Sequence, residues 1–233
     1  MTLEEWPRRV GALGQFHVDD PASPVLSRDD EHHLRRVLRA TVGEEVVVTN
    51  GGGDWSLAQV EETGLRRVSD VHVDPVPEPV TLYLAPIKGE RGEWAVAKAT
   101  ELGVTRIVPL VAARLAVKFK GEAAQKILSR WRRIARESAG QCRRTYDVLV
   151  DEATRVADVP PDVAVADFGG TGTWENLHSV AIGPEGGWEA GEWDDARVTV
   201  SLGPTVLRAE TAALAAVTLL VAARGWRDGA TDR

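Results

Sequence analysis

Two loops in the C-terminal third of the chain carry residues whose types and spacing could do chemistry. The first, Gly183-Pro184-Glu185-Gly186-Gly187, follows an apolar run that ends at Ile182. Its glycines let the backbone turn sharply and approach a ligand closely. The loop matches neither the Walker phosphate loop nor the dinucleotide fingerprint, so a phosphate cradle has no specific support. Two interpretations stay open, a ligand-binding loop and an ordinary tight turn.

The second loop runs from Leu202 to Ala212 and places three polar side chains at the start of the last predicted helix. Glu210 and Thr211 are residue types that cap a helix N-terminus and interact favourably with the helix dipole. For Glu210 this structural role explains the residue as well as a chemical role does. Arg208 is harder to explain in this way, because it is expected at the same sheet edge as the glycine loop. Open parallel sheets bind ligands beyond the carboxyl ends of their strands. The two loops are therefore predicted to line one site.

Alternating strands and helices must position these loops. The stretch 74–79 has proline at every second position, which excludes a helix interior and favours a stiff extended linker. After it, the apolar patterns predict strands at 81–85, 106–110, 163–166, 180–182 and 198–202, and helices at 93–102, 123–139 and 210–223. This alternation predicts a parallel α/β sheet covered on both faces.

The segment before the linker has a different pattern. Short β-rich runs at 45–49, 55–60 and 68–73 are separated by glycine turns, which is typical of a small β-barrel. One short helix is predicted over 29–39, with Ser27 as its N-cap. The predicted organisation is a small β-barrel domain over residues 1–74 and an α/β domain over residues 80–227.

Composition narrows the class of protein. A chain of 233 residues with a single cysteine, Cys142, is not a disulfide scaffold and cannot build a zinc–thiolate cluster. The longest apolar run, 212–223, is too short to cross a bilayer, and the N-terminus lacks the apolar core of a signal peptide. A soluble cytoplasmic protein is expected, with no membrane partner. The five scattered histidines suggest no metal site.

Charge is distributed unevenly along the chain. The formal net charge is −7, yet residues 80–149 carry +8, half of it on the predicted helix 123–139, while both flanking segments are acidic. Such a local excess suits a confined contact with phosphate. It equally suits a solvated helix face, and the charge pattern alone does not choose between them.

The two loops together, Gly183-Pro184-Glu185-Gly186-Gly187 and Leu202-Gly203-x-x-Val206-Leu207-Arg208-x-Glu210-Thr211-Ala212, resemble the RsmE-type methyltransferases of the SPOUT superfamily. That family methylates N3 of a uridine in 16S rRNA of the small ribosomal subunit. The similarity continues through His33-x-x-Arg36-Val37-Leu38-Arg39, Lys88, Gly89, Glu93, the segment 98–104, Arg114, Trp131 and Gln141. It thus spans both predicted domains in the family's order.

The resemblance implies a fold, a cofactor and partners. The expected fold is a PUA-like β-barrel followed by a SPOUT-type parallel sheet with a C-terminal trefoil knot. The expected cofactor is S-adenosylmethionine. The expected partners are 16S rRNA or the small ribosomal subunit and a second copy of the chain, as a homodimer.

The resemblance also assigns residues. Those expected to bind the cofactor are Phe168, Gly169, Gly183, Pro184, Glu185, Gly187, Leu202, Gly203, Val206, Leu207, Arg208, Thr211 and Ala212. Because uracil N3 carries a proton at neutral pH, a general base and an electrostatic stabiliser are needed, and Glu210 and Arg208 are the candidates. Those expected to contact RNA are Arg36, Arg39, Lys88, Arg114 and Arg144.

The chain departs from the family pattern at two places. Ala209 stands where the family has threonine, and after Gln141 only Arg144 keeps its place in the usual Gly-Arg-x-Arg-x-Pro stretch. Three alternatives stay open: a SPOUT methyltransferase for transfer RNA or another ribosomal position, a non-catalytic ribosome-assembly factor that binds RNA, and an unrelated nucleotide-binding α/β protein. The last lacks support because the phosphate-binding fingerprints are missing.

Overall fold

A computed structural model describes residues 5–223 of the chain. These form two compact units: one contains the described residues up to Pro77 together with Ala139–Asp147, and the other contains Glu78–Ser138 and the described residues from Val148 onward. The predicted domain limits at 1–4 and 224–227 lie outside the described residues. The segment 139–147 thus packs with the first unit. The sequence-based division at the prolines of 74–79 assigns this segment to the second domain.

The first unit is built on a sheet of five strands, counted within residues 5–223, and begins with helix α1 (Glu5–Gly11). The strands are β1 (Gln15–His17), β2 (Glu45–Thr49), β3 (Asp54–Val60), β4 (Leu65–Arg67) and β5 (His72–Val73). Strand β1 pairs parallel with β2, and β3 pairs antiparallel with β2, β4 and β5. The predicted strand 68–73 is wrong in its extent. Strands β4 and β5 pair with different parts of β3. Between these two parts the Leu57 amide donates a hydrogen bond to the Ser69 hydroxyl at 2.9 Å, so the backbone ladder along β3 is interrupted there.

The predicted helix 29–39 is divided in the structure. It begins as α2 (Arg28–His32) and continues as a π-helical turn, His33–Val37. The predicted N-cap is confirmed, because the Ser27 hydroxyl accepts a hydrogen bond from the Asp30 amide. Leu34 is fully buried against β2 and β3, so packing in the core accounts for the helix position.

Asp74 joins several parts of the first unit. Its carboxylate accepts hydrogen bonds from Arg9 at 2.8 Å, from the Trp55 indole at 2.9 Å and from the Thr145 hydroxyl at 2.7 Å. Arg9 is only 4% exposed, so this ion pair lies in the interior. The residue that the sequence placed at the start of a linker is therefore part of the packed first unit.

The second unit contains a parallel sheet of seven strands within the described residues. The strands are β6 (Thr81–Leu84), β7 (Arg106–Val111), β8 (Leu149–Val150), β9 (Thr154–Arg155), β10 (Ala164–Ala166), β11 (Ser179–Ile182) and β12 (Thr199–Val200). Their order is β12-β10-β11-β6-β7-β8, and β9 pairs with the end of β7. The five predicted strands are confirmed to within two residues. Strands β8 and β9, of two residues each, were not predicted from the sequence.

Three helices cover one face of this sheet: α3 (Arg91–Glu101), α4 (Gly121–Gln141) and α5 (Ala209–Ala223). Their buried residues share a core cluster with alternate strand residues such as Leu82 and Val180. The intervening Tyr83 and Ala181 point to the other face, where a 3₁₀ turn (Val156–Asp158) and later irregular segments pack. Both faces of the sheet are covered, as predicted. The three helices cover only one face, and the other is covered by the 3₁₀ turn and the irregular segments. Within residues 5–223, no helix combines the length and hydropathy needed to span a membrane.

Candidate active site

A cleft of about 410 Å³ lies at the carboxyl ends of three neighbouring strands, β11, β10 and β12. Because these strands are adjacent and parallel, the segments that follow them emerge at one edge of the sheet. The lining residues are Ala166, Asp167, Phe168, Ile182, Gly183, Pro184, Glu185, Gly187, Trp188, Leu202, Gly203, Thr205, Val206, Leu207, Arg208, Ala209 and Ala212. The two loops singled out by the sequence do line one cleft.

Glycine is required at Gly183 because an aromatic ring packs against its backbone. A Cβ atom added there would lie 2.9 Å from the Trp188 ring. That ring is held in place: its N–H donates to the Ala166 carbonyl at 3.2 Å, and it meets Trp193 edge-on with centroids 5.0 Å apart. In the second loop, Gly203 has φ +121°, a conformation that side chains rarely adopt.

The cleft presents exposed apolar side chains. Phe168 is 64% exposed and Val206 is 87% exposed, while Leu202 and Leu207 are half-buried behind them. Exposed large apolar residues gathered around a concavity are typical of a site that buries a flat apolar part of a ligand.

Three charged side chains line the cleft: Asp167, Glu185 and Arg208. Arg208 is exposed, and its guanidinium makes no hydrogen bond or ion pair with any residue in the described range 5–223. Glu185 accepts a hydrogen bond from Arg91 Nη2 at 2.8 Å, and Arg91 Nη1 lies 3.5 Å from Glu210 Oε1. No group of three His, Cys, Asp or Glu side chains among the described residues could hold a metal ion.

The structure brings most of the predicted cofactor-binding residues together. Gly169 and Thr211 are the exceptions, since neither lines the cleft. Thr211 is exposed on α5, where the helical spacing of 100° per residue turns it away from the side that Ala209 and Ala212 present to the cleft. The same geometry places Glu210 on the far side of that helix, where it is 7% exposed. Its carboxylate therefore does not line the cleft.

Some lining residues were not predicted from the sequence. Trp188 directly follows the glycine loop and Asp167 directly precedes Phe168, so extending each loop by one residue would have found them. Ala166, Ile182, Thr205 and Ala209 complete the set. The sequence gives no indication that Arg91 contacts Glu185, because the two residues are 94 positions apart in the chain.

The predicted RNA-contacting residues differ in their surroundings. Within the described part of the chain, Arg36 and Arg39 in the first unit and Lys88 and Arg114 in the second are exposed and form no side-chain hydrogen bond or ion pair. Arg144 is half-buried, and burial lowers the pKa of its guanidinium. It is thus less accessible to a partner than the other four.

Several cations of the basic segment are already neutralised. On α4, Arg130 pairs with Glu93 at 2.7 Å, Arg132 with Glu152 at 2.7 Å and Arg133 with Glu137 at 3.0 Å. For these arginines the solvated helix face is the better interpretation of the charge pattern. Lys88 and Arg114, which have no side-chain partner in the described part of the chain, fit a phosphate contact better.

Known proteins resemble the chain along most of its length. Residues 74–221 match the RNA methyltransferase domain family, and residues 26–69 match the RNA methyltransferase PUA domain. The ribosomal RNA small subunit methyltransferase E of Mycobacterium bovis is 32% identical over 92% of each chain. The chain belongs to the ribosomal RNA small subunit methyltransferase E family. The Bacillus subtilis member of this family is 28% identical, over 89% of this chain and 93% of that one.

Solved structures confirm the fold of this family member. A putative methyltransferase from Legionella pneumophila, determined with the bound cofactor SAM, is 28% identical with a TM-score of 0.77, covering 90% of this chain and 97% of that one. The small subunit methyltransferase E of Neisseria gonorrhoeae, bound to S-adenosyl methionine, has the same TM-score at 24% identity and covers 89% and 96%. The predicted α/β fold with an N-terminal PUA domain is confirmed, while the trefoil knot stays a prediction.

Proposed function

We propose that this protein transfers a methyl group from S-adenosylmethionine to N3 of a specific uridine in 16S rRNA. The observation that carries the proposal is the single cleft formed by three strand-end segments, in a chain of the ribosomal RNA small subunit methyltransferase E family. The named function of the relatives supplies the reaction, and the geometry of the cleft supplies a place for it.

The residues at the cleft fit the cofactor. Phe168, Leu202, Val206 and Leu207 offer an apolar wall for an adenine ring, and the glycine loops let main-chain groups approach its polar edge. The volume of about 410 Å³ falls in the usual range for sites that bury a small ligand. The cofactor supplies an activated methyl group, so the protein's task is to orient the acceptor nitrogen toward it.

Arg208 is the residue proposed to act on the acceptor base. Its exposed guanidinium, which has no partner within residues 5–223, lines the cleft, where it can stabilise the negative charge that develops on uracil as N3 loses its proton. Glu210, the predicted general base, has its carboxylate beside Arg91 and away from the cleft lining. We therefore give Glu210 a positioning role and leave proton removal to solvent or to the RNA.

The remaining expectations belong to the same proposal. The first unit, which contains the domain predicted over residues 1–74, binds RNA through Arg36, Arg39 and Arg144. The second unit, which contains most of the domain predicted over residues 80–227, adds Lys88 and Arg114. Phosphate contacts of this kind orient RNA without selecting its sequence. We further propose that the protein works in the cytoplasm as a homodimer.

A methyl-transfer assay tests the proposal. Purified protein and labelled S-adenosylmethionine are incubated with naked 16S rRNA, small subunits and whole ribosomes, all taken from a strain that lacks the gene. Mass spectrometry of the RNA then identifies the modified nucleoside. Formation of 3-methyluridine in 16S rRNA is the expected result. Modification of transfer RNA instead, or cofactor binding with no transfer to any RNA, would contradict the proposed function.

A further inference from the structure

Arg91 lies between two acidic side chains that come from distant parts of the second unit. It begins helix α3, and its guanidinium donates to Glu185 Oε1 at 2.8 Å with one nitrogen while the other lies 3.5 Å from Glu210 Oε1. Glu185 belongs to the glycine loop that lines the cleft, and Glu210 belongs to the first turn of α5. One arginine therefore links α3, the glycine loop and α5.

The two carboxylates differ in their exposure. The Glu185 side chain keeps 26% of its surface exposed, whereas the Glu210 side chain keeps only 10%. The second oxygen of Glu210, Oε2, is buried and has no hydrogen-bond partner among the described residues. A buried carboxylate with so few partners is costly unless a cation faces it. Arg91 is the cation that faces it.

The planar guanidinium suits this arrangement. It presents several N–H donors in a fixed fork, so it can reach two carboxylates at once in a defined geometry. A lysine ammonium would offer one charge without that fork. Since α3 and α5 are packed in one apolar core, the Glu210 side of the link is fixed. The other partner, Glu185, lies on a loop with three glycines.

We infer that Arg91 is a positioning residue for the cleft, anchored by buried Glu210 and holding Glu185 with its glycine loop in the ligand-binding arrangement. It acts through Glu185, because Arg91 itself does not line the cleft. This inference rests on the proposed function for its ligand. Its structural part, the restraint on the loop, concerns the protein without any ligand.

The first test measures the loop in the ligand-free protein. Hydrogen exchange of the amides of Gly183, Glu185, Gly186 and Gly187 should accelerate about fivefold to tenfold in Arg91→Ala, because the link between the loop and the core is lost. Arg106→Ala is the matched control: Arg106 is also exposed and ion-paired, to Asp151, but it begins β7 at the opposite end of the strands from the cleft. Unchanged exchange at 183–187 in a folded Arg91→Ala protein overturns the inference.

The second test measures binding of S-adenosylmethionine by calorimetry. Arg91→Ala should weaken affinity about fivefold to tenfold, raising KM for the cofactor more than it lowers kcat, and Arg91→Lys should recover part of the loss. Glu185→Gln should weaken affinity similarly, and adding Arg91→Ala to it should cost little more, since both changes break the same link. Full additivity of the two losses, or equal losses in Arg91→Ala and Arg106→Ala, overturns the inference.

The outcomes separate this inference from the proposed function. If the unaltered protein binds no S-adenosylmethionine, the proposed function fails, and the exchange experiment still decides whether Arg91 restrains the loop. If the unaltered protein binds the cofactor and Arg91→Ala binds it equally well, the inference fails while the proposed function stands. Should Arg91→Ala not fold, Arg91→Lys and Glu185→Gln supply the same comparisons.

Discussion

Replacing Gly183 by alanine tests whether the close approach of backbone and indole shapes the cleft. The added Cβ would lie 2.9 Å from the Trp188 ring. Carbon atoms pack best at roughly 3.5–4.0 Å, so the methyl group is too close by roughly 0.6–1.1 Å. Because the ring is held by its bond to Ala166 and its contact with Trp193, it cannot move without losing one of them.

The expected cost follows from these contacts. Forcing an extra methyl group into a packed site costs about 1–3 kcal/mol, and losing the indole hydrogen bond adds about 1 kcal/mol. Gly183→Ala should thus lower the free energy of unfolding by about 2–4 kcal/mol in urea titration. Affinity for S-adenosylmethionine should fall at least about tenfold, because Gly183 and Trp188 both line the cleft. Gly183→Val should abolish binding.

Gly169→Ala is the control for stability. A Cβ at Gly169 meets no atom within 4 Å, and its φ is not positive, so alanine there should leave the free energy of unfolding within about 0.5 kcal/mol. If Gly183→Ala matched this control in stability and bound the cofactor as tightly as the unaltered protein, the steric argument for the glycine loop would be refuted.

Three other substitutions probe the proposed roles. Arg208→Ala should lower kcat about 10²–10³-fold in the methyl-transfer assay while unfolding at the same urea concentration, because its side chain is exposed and unpaired within residues 5–223; an unchanged kcat would remove Arg208 from catalysis. Arg36→Ala should weaken RNA binding and lower the salt slope by about one, leaving cofactor affinity intact; equal loss of both affinities would contradict the division of labour. Asp74→Ala should destabilise the protein by about 3 kcal/mol in urea titration, because buried Arg9 loses its counter-charge; a loss below about 1 kcal/mol would contradict this reading of Asp74.

Local patterns predicted the elements that carry the site. Apolar patterns located five of the seven strands of the second unit and its three helices. Strands buried on both faces are short continuous apolar runs, and a helix that buries one face repeats its apolar residues at a fixed spacing. The N-cap at Ser27 was predictable for a similar reason, since capping involves residues three apart. The interrupted strand at Ser69 was not, because a side-chain hydroxyl took the place of a backbone partner on another strand.

The sequence by itself determined two of the three segments that form the cleft, since strand ends and glycine spacing are patterns of contiguous residues. The third segment, at Phe168, was predicted only from the resemblance to the family. Only the tertiary structure decided which side chains of these segments face the cleft. Their orientation depends on where the chain returns in space, and no local repeat records that.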